Sequence, residues 1–371
     1  MQRMPARPGD SVASIETPAL VVDLDPFERN LELMANAVRG SGAALRPHAK
    51  SHKCPDIAKQ QIALGAVGIC CQKVDEAVAF VEAGIRDVLV TNEIVSPPKL
   101  ARLAALARAA TIGVLADDLN VVGAISAAAT KAGVTLDVLV EIDVGAHRCG
   151  VMPGAPAVAL AQAIAASPGL RFRGLHAYHG AAQHLRTPAE RRAAIASAAG
   201  LARDTRDLVL DSGIVCATIT GAGTGTWQLE RDSQVYTELQ PGSYIFMDAD
   251  YGRNALAADD HEFEQSLYVA ATVMSTPAPE RAIVDAGLKS FAFDSGPPVV
   301  HAAHGLVYLG ASDEHGVLRV DPRAAQPVIG ERVWLVPGHC DPTVNLYDWI
   351  VGVRHDTVEC VWPVAARGAL G

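Results

Sequence analysis

The sequence predicts an α/β protein, a (β/α)8 barrel of the TIM type followed by a mostly β domain. Three observations carry that expectation. Short apolar runs alternate with longer alanine-rich segments of helical spacing through the first two-thirds of the chain. Eight such runs fall within about 200 residues, the number and spacing that a (β/α)8 barrel needs. Beyond roughly residue 260 the helical stretches stop, and short Val-rich runs separated by Gly, Pro and Asp take over.

The eight runs are 19–24, 44–49, 67–71, 88–91, 111–115, 138–144, 172–178 and 218–221. Few alternate strictly, which is how strands buried on both faces read. Helical spacing occupies 75–83, 99–109, 119–131, 155–166 and 189–211, with helix-start signals at Ser96-Pro97-Pro98 and Thr187-Pro188. Strand followed by helix, repeated, implies right-handed βαβ units and a parallel sheet. A doubly wound open sheet is the competing reading. It would place its Gly-rich turn after the first strand, whereas the conspicuous one here follows the eighth run. The later runs, 266–274, 281–285, 299–300, 305–309, 332–336, 349–353 and 357–361, read as the β domain. The expected division is 17–260 for the barrel and 261–371 for the β domain, with residues 1–16 crossing back to pack on the latter.

Composition excludes several classes. Of 371 residues, 50% are hydrophobic and 19% charged, so the chain can bury a core and is not disordered. No stretch of about 18 uncharged apolar residues suits a membrane span. A net charge of −10 and the lack of a long basic cluster argue against nucleic acid. The seven cysteines include the adjacent pair Cys70-Cys71 and no CxxC, which rules out zinc fingers and thioredoxin-like motifs. With no apolar segment near the N-terminus, a cytoplasmic protein is expected.

Four segments could carry chemistry. In Arg46-Pro47-His48-Ala49-Lys50-Ser51-His52-Lys53, a strand-end lysine held in a partly desolvated pocket would have a lowered pKa and a free amine for a Schiff base. The competing reading is a solvated basic loop. In Gly221-Ala222-Gly223-Thr224-Gly225-Thr226, backbone N–H groups could cradle an anion. The segment lacks both the GxGxxG and the P-loop spacing, but loops after the last barrel strands frequently bind phosphate. Gly242-Ser243-Tyr244 could complete the same cradle. In Gly338-His339-Cys340-Asp341, an extended chain would put His339 and Asp341 on one side, where they could hold Mn, Mg, Zn or Co; a simple Asp-Pro turn is the alternative. Lastly Gln72 and Lys73, Asn92 and Glu93, Asp143 and Arg148, Tyr178 and His179, and Gln183 and His184 follow successive strands. They would share a polar pocket, or serve as caps.

Together these segments resemble the D-threonine aldolases, pyridoxal-phosphate enzymes of the alanine racemase fold, with D-3-hydroxyaspartate aldolase and D-serine dehydratase as relatives. Further matching segments are Thr17–Leu24, Gly68–Lys73, Asp143-Val144-Gly145, Arg148-Cys149-Gly150, Tyr178-His179-Gly180, Met247–Gly252 and Asp285–Lys289. The resemblance implies pyridoxal phosphate linked to Lys50 rather than Lys53, with Gly223, Thr224, Gly225, Gly242, Ser243 and Tyr244 around its phosphate. It also puts Gln72, Arg148 and Tyr178 close to the cofactor, His184 as base near the substrate's β-hydroxyl, and His339 and Asp341 on a divalent metal. Ala222 departs from the family, whose members often have a third glycine there. The implied substrates are small D-3-hydroxy amino acids, D-threonine first, and the implied assembly is a homodimer. A dehydratase on the same scaffold, a non-catalytic cofactor carrier and a metal-dependent hydrolase are the other readings. The His-x-Asp pair favours the aldolase over the His-x-Cys of D-serine dehydratases.

Overall fold

The computed structural model describes residues 3–303 and 305–371. Its chain begins with β1 (Ala19–Asp23) and α1 (Leu24–Val38), followed by β2 (Ala44–Leu45), α2 (Pro55–Ala63), β3 (Ile69–Cys71), α3 (Val74–Glu82), β4 (Asp87–Glu93) and α4 (Pro97–Leu106). Next come β5 (Thr111–Ala116), α5 (Leu119–Ala132), β6 (Leu136–Glu141), α6 (Ala155–Ala166), β7 (Leu170–His176), α7 (Pro188–Asp211), β8 (Thr218–Gly221), α8 (Trp227–Asp232) and β9 (Glu238–Leu239). Strands β2 to β9 form one parallel sheet in the order β2-β9-β8-β7-β6-β5-β4-β3. A bridge between His48 and Cys70 and the bond from Val67 N–H to the Leu45 carbonyl (2.9 Å) close it into the barrel.

Alternation explains the two layers of burial. Cys70, Leu89, Leu115 and Leu139 meet inside the barrel as a small cluster of their own. Their neighbours Ile69, Val88, Val90, Val114, Val138 and Val140 face outward and join the core shared with the helices. At the N-terminal ends of the strands, Arg46 pairs with Asp87 (2.7 Å) and Glu238 (2.9 Å), and Asp137 with Arg171 (2.6 Å). This charged plug fills the barrel floor and leaves the opposite, C-terminal end for a site. The helix-start signal at Thr187-Pro188 is a full capping box with Glu190.

The remaining elements are β10 (Leu267–Ala278), β11 (Arg281–Val284), β12 (Val299–Val300), β13 (Leu306–Ala311), β14 (Gly316–Val320), β15 (Arg332–Val336), α9 (Cys340–Val344), β16 (Trp349–Arg354) and β17 (Thr357–Pro363). They form a second sheet, and here the sequence reading needs correction. Strand β1, read as the first barrel strand, lies in this second sheet, antiparallel to β10 and parallel to β16. Its four residues 19–22 are buried on both faces, Leu20 and Val22 against the main core and Ala19 and Val21 against a smaller one. A doubly buried strand reads the same in either sheet. The barrel's true eighth strand is β9, two residues long and half polar, which leaves no apolar run to detect. Residues near the N-terminus run along β17, with Gly9 N–H on the Val358 carbonyl and Val12 N–H on that of Asp356. Among the described residues no helix is long and apolar enough to cross a membrane.

Candidate active site

The open end of the barrel holds a cavity. Lys50, Gln72, Arg148, Tyr178, His184, Gly223, Thr224, Gly242, Ser243, His339 and Asp341 all border it. With β9 as the eighth barrel strand, β8 is the seventh. The Gly221–Thr226 turn follows the seventh strand and Gly242–Tyr244 the eighth, the two positions where barrels commonly bind phosphate.

Lys50 sits in a single 3-10 turn, 49–51, just past the first barrel strand. His48 caps that turn, its Nδ1 accepting from Lys50 N–H at 3.3 Å and its Nε2 lying 3.0 Å from the Thr91 hydroxyl. Burial pushes His48 well down, so it is a neutral brace. The Lys50 amine lies 3.6 Å from Asp341, with its side chain about a third exposed. The lowered pKa expected for Lys50 is overturned. Burial disfavours the charge, but the Asp341 carboxylate outweighs it and the pKa rises. Lys53 does not border the cavity. It is buried against Glu76 (2.9 Å) and the Asn345 side chain (2.9 Å), tying the lysine loop to the chain just after α9.

The Gly-rich turn is held from behind by Gln183, which is fully buried. Its Oε1 accepts from Gly225 N–H at 3.0 Å, and its Nε2 donates to the Thr226 hydroxyl at 2.7 Å. That hydroxyl in turn donates to Glu230 at 2.8 Å. The Gly225 N–H is therefore already satisfied and does not serve an anion, contrary to the sequence reading. A Cβ on Gly223 would lie 2.5 Å from Gln183 Oε1, which explains the glycine. Ala222 does adopt positive φ, at +74°, a conformation that costs a residue with a Cβ about 1–2 kcal/mol. Tyr244 is a second correction. Its ring is buried against Phe263 and its hydroxyl accepts from Gln61 at 3.0 Å, so any contact with a ligand could come only from its main chain.

His339 and Asp341 reach the cavity, though not by the extended geometry expected. His339 is the N-cap of α9 and Asp341 lies in that helix's first turn. His339 Nδ1 is 2.6 Å from Asp294, and Ser243 donates to Asp341 at 3.1 Å. Burial opposes a charge on His339, but Asp341 and Asp294 outweigh it and raise its pKa. Under Arg148, Glu141 lies 3.8 Å from the guanidinium. Burial opposes the Glu141 charge too, yet His176, Glu93 and Arg148 hold it ionised, while burial and Glu141 push Glu93 up. Arg148 also stands over the Tyr178 ring, 5.9 Å from its centre. Sequence reasoning missed Asp294 and Asp250 as site residues, and it missed the bracing role of Gln183. Asp294 sits in no motif; Asp250 lies within the matching segment Met247–Gly252 and Gln183 among the strand-end polar residues, but nothing local to either names its partner.

Residues 22–250 match the family described as alanine racemase, N-terminal domain, and 266–353 a putative serine dehydratase domain. The chain is 52% identical to a D-threonine aldolase from Arthrobacter sp over 98% of its own length and 96% of that protein's. The chain belongs to the D-threonine aldolase family. It is also 45% identical to a 3-hydroxy-D-aspartate aldolase of Paracoccus denitrificans, over 98% of this chain and 95% of that one. The crystal structure of a D-threonine aldolase from Filomicrobium marinum superposes with a TM-score of 0.98 at 50% identity, covering 99% of this chain and all of that one.

The family implies pyridoxal phosphate, and the cavity fits it. The Thr224 hydroxyl is buried with no partner beside a lysine amine in the same space. Gly223 and Gly242 have no space for a Cβ, which would lie 2.5 Å from Gln183 Oε1 and 2.7 Å from the His48 carbonyl, so both present bare backbone at the cavity. A divalent ion also fits the donors, imidazole and carboxylate, with Asp294 orienting the imidazole. Among the described residues no group of three or more His, Cys, Asp or Glu side chains is arranged to hold an ion.

Two consequences follow for the phosphate turn. Gly223→Ala must displace the locked Gln183, and cofactor retention weakens by about 10-fold or more, measured by equilibrium dialysis of pyridoxal phosphate. Glu230 has its pKa pushed from 4.5 to about 7 by burial, against the opposing bond from Thr226. Between those values the folded chain keeps the proton and the unfolded chain loses it, so this group's contribution to stability falls as pH rises from about 4.5 to 7. Glu230→Gln is accordingly stabilising by on the order of 2 kcal/mol at pH 8 and by little at pH 5, measured by urea unfolding.

Proposed function

We propose that this chain cleaves the Cα–Cβ bond of D-3-hydroxy amino acids by a retro-aldol reaction, taking D-threonine to glycine and acetaldehyde, with pyridoxal phosphate and a divalent metal. The observation that carries this reading is the convergence of Lys50, His184, His339, Asp341 and the Gly223-Thr224 turn on one cavity. Pyridoxal phosphate supplies an electron sink joined to the substrate's amine, and the metal supplies a Lewis acid for the β-oxygen.

Lys50 tethers the cofactor, while Gly223, Thr224, Gly242 and Ser243 receive its phosphate. Gln72, Arg148 and Tyr178 border the ring, with Glu141 balancing the Arg148 charge. His339 and Asp341 hold the metal; their donor types suit Mn, Mg, Co or Zn alike. His184 accepts the proton of the β-hydroxyl. As that O–H bond breaks, the oxygen's electrons form the aldehyde carbonyl and the Cα–Cβ pair stays with the glycine fragment. A proton delivered to that carbon completes glycine.

The test is a product assay with purified protein, pyridoxal phosphate and Mn²⁺. D-threonine yields equal amounts of glycine and acetaldehyde, and L-threonine yields neither. A 2-oxo acid with ammonia would instead mean a dehydratase, and bound cofactor without turnover a carrier. Glyoxylate formed faster from D-3-hydroxyaspartate would make that the preferred substrate. We place the protein in the cytoplasm, which its seven free cysteines support, and as a homodimer, to be checked by sedimentation.

A further inference from the structure

We infer that Asp250 is a positioning residue for His184, fixing which imidazole nitrogen faces the substrate, and that Arg186 and Arg253 serve to hold Asp250 in place. This rests on the reading of His184 as the base. Asp250 Oδ2 lies 2.5 Å from His184 Nδ1. Its other oxygen accepts from Arg186 at 2.5 Å and from Arg253 at 2.5 Å. Arg186 also donates to the Asp250 carbonyl (2.8 Å) and to Asn254 (2.7 Å), and Arg253 to the Ser295 carbonyl (2.9 Å). The carboxylate is buried, whereas the imidazole is about half exposed to the cavity.

The physical consequence follows from hydrogen-bond direction. Burial opposes the charge on Asp250, but Arg186 and His184 outweigh it and keep the carboxylate ionised. An ionised carboxylate only accepts, so Nδ1 must carry the hydrogen and Nε2 is left with the lone pair. The Tyr251 ring lies beside the imidazole, 5.9 Å between centres at 28°, and limits rotation about that bond. The substrate's O–H bond breaks as the Nε2–H bond forms, and the resulting positive ring stays next to a fixed negative charge. Two arginines on one carboxylate are more than its charge needs. They prevent the carboxylate from following the proton or turning away from the ring.

The experiment is a double-mutant cycle on the cofactor- and metal-loaded enzyme. Asp250→Asn keeps the shape but can present an amide N–H to Nδ1, favouring the wrong tautomer. We expect kcat for D-threonine to fall by about 10²–10⁴-fold with KM within about threefold. In a His184→Ala background the same change is expected to have less than about a twofold effect, because the residue acts only through the imidazole. A kcat for Asp250→Asn within threefold of wild type overturns the inference, and so does an undiminished loss in the His184→Ala background. High activity in His184→Ala itself would overturn the base reading and this inference with it, and is distinct from a dead His184→Ala beside an active Asp250→Asn. Nitrogen-15 spectra of histidine-labelled wild type at alkaline pH give a check that needs no variant. The Nδ1–H tautomer at His184 is expected, and Nε2–H would overturn the assignment.

Discussion

Lys50→Ala gives a folded protein that no longer holds pyridoxal phosphate covalently and whose D-threonine cleavage is at least about 10³-fold slower, the scale seen when a covalent nucleophile is lost. The structure separates this lysine from its neighbour without recourse to spacing. The Lys50 amine borders the cavity, about a third exposed, and faces Asp341 at 3.6 Å. The Lys53 amine is buried and satisfied by Glu76 and Asn345. Lys50 is therefore replaceable without opening the core, whereas Lys53 is not. Borohydride reduction followed by peptide mass should find the cofactor on the Lys50 peptide of wild type and nowhere in Lys50→Ala. Cofactor mass on Lys53, or near-normal turnover in Lys50→Ala, would refute the assignment.

His339→Ala abolishes metal-stimulated turnover, by about 10²-fold or more, while pyridoxal phosphate remains bound. The two sites draw on different elements. The cofactor residues come from barrel loops, and His339 and Asp341 from the N-terminus of α9. Ser243, which donates to Asp341, and Lys50, whose amine lies 3.6 Å from it, link the two. In wild type a chelator lowers activity and Mn²⁺ restores it; in His339→Ala neither changes the residual rate. Asp294→Asn weakens metal binding by a smaller factor, about 10–100-fold, because it disturbs only the imidazole's orientation. Metal titrations followed by calorimetry check both. Full metal-dependent turnover in His339→Ala sinks the metal assignment.

Local chemistry makes part of this legible in the amino-acid sequence. The barrel's middle strands have the continuous apolar runs of strands covered on both faces, and α7 begins at a capping box spelled out in Thr187-Pro188-Ala189-Glu190. The Gly-rich turn is visible because its glycines are in one short stretch. The features that escape have no local signature. β1 has the composition of a barrel strand but pairs with β10 and β16, more than 240 residues away in the chain. β9 is too short to leave a pattern. Tyr244 stands in the expected cradle, yet its side chain turns into the core to meet Gln61.

By itself the sequence determined the fold class, the family resemblance and the candidates Lys50, His184, His339 and Asp341. These depend on composition, periodicity and short motifs, all of which are properties of neighbouring residues. Only the tertiary structure decided which sheet β1 joins, which lysine reaches the cavity, the sign of the shift at Lys50 and the partners of His184 and His339. Lys50 and Asp341 stand near opposite ends of the chain and 3.6 Å apart in space. Electrostatic energy depends on distance and on the surrounding medium, so the Lys50–Asp341 pairing exists only once the β domain has folded over the barrel's open end.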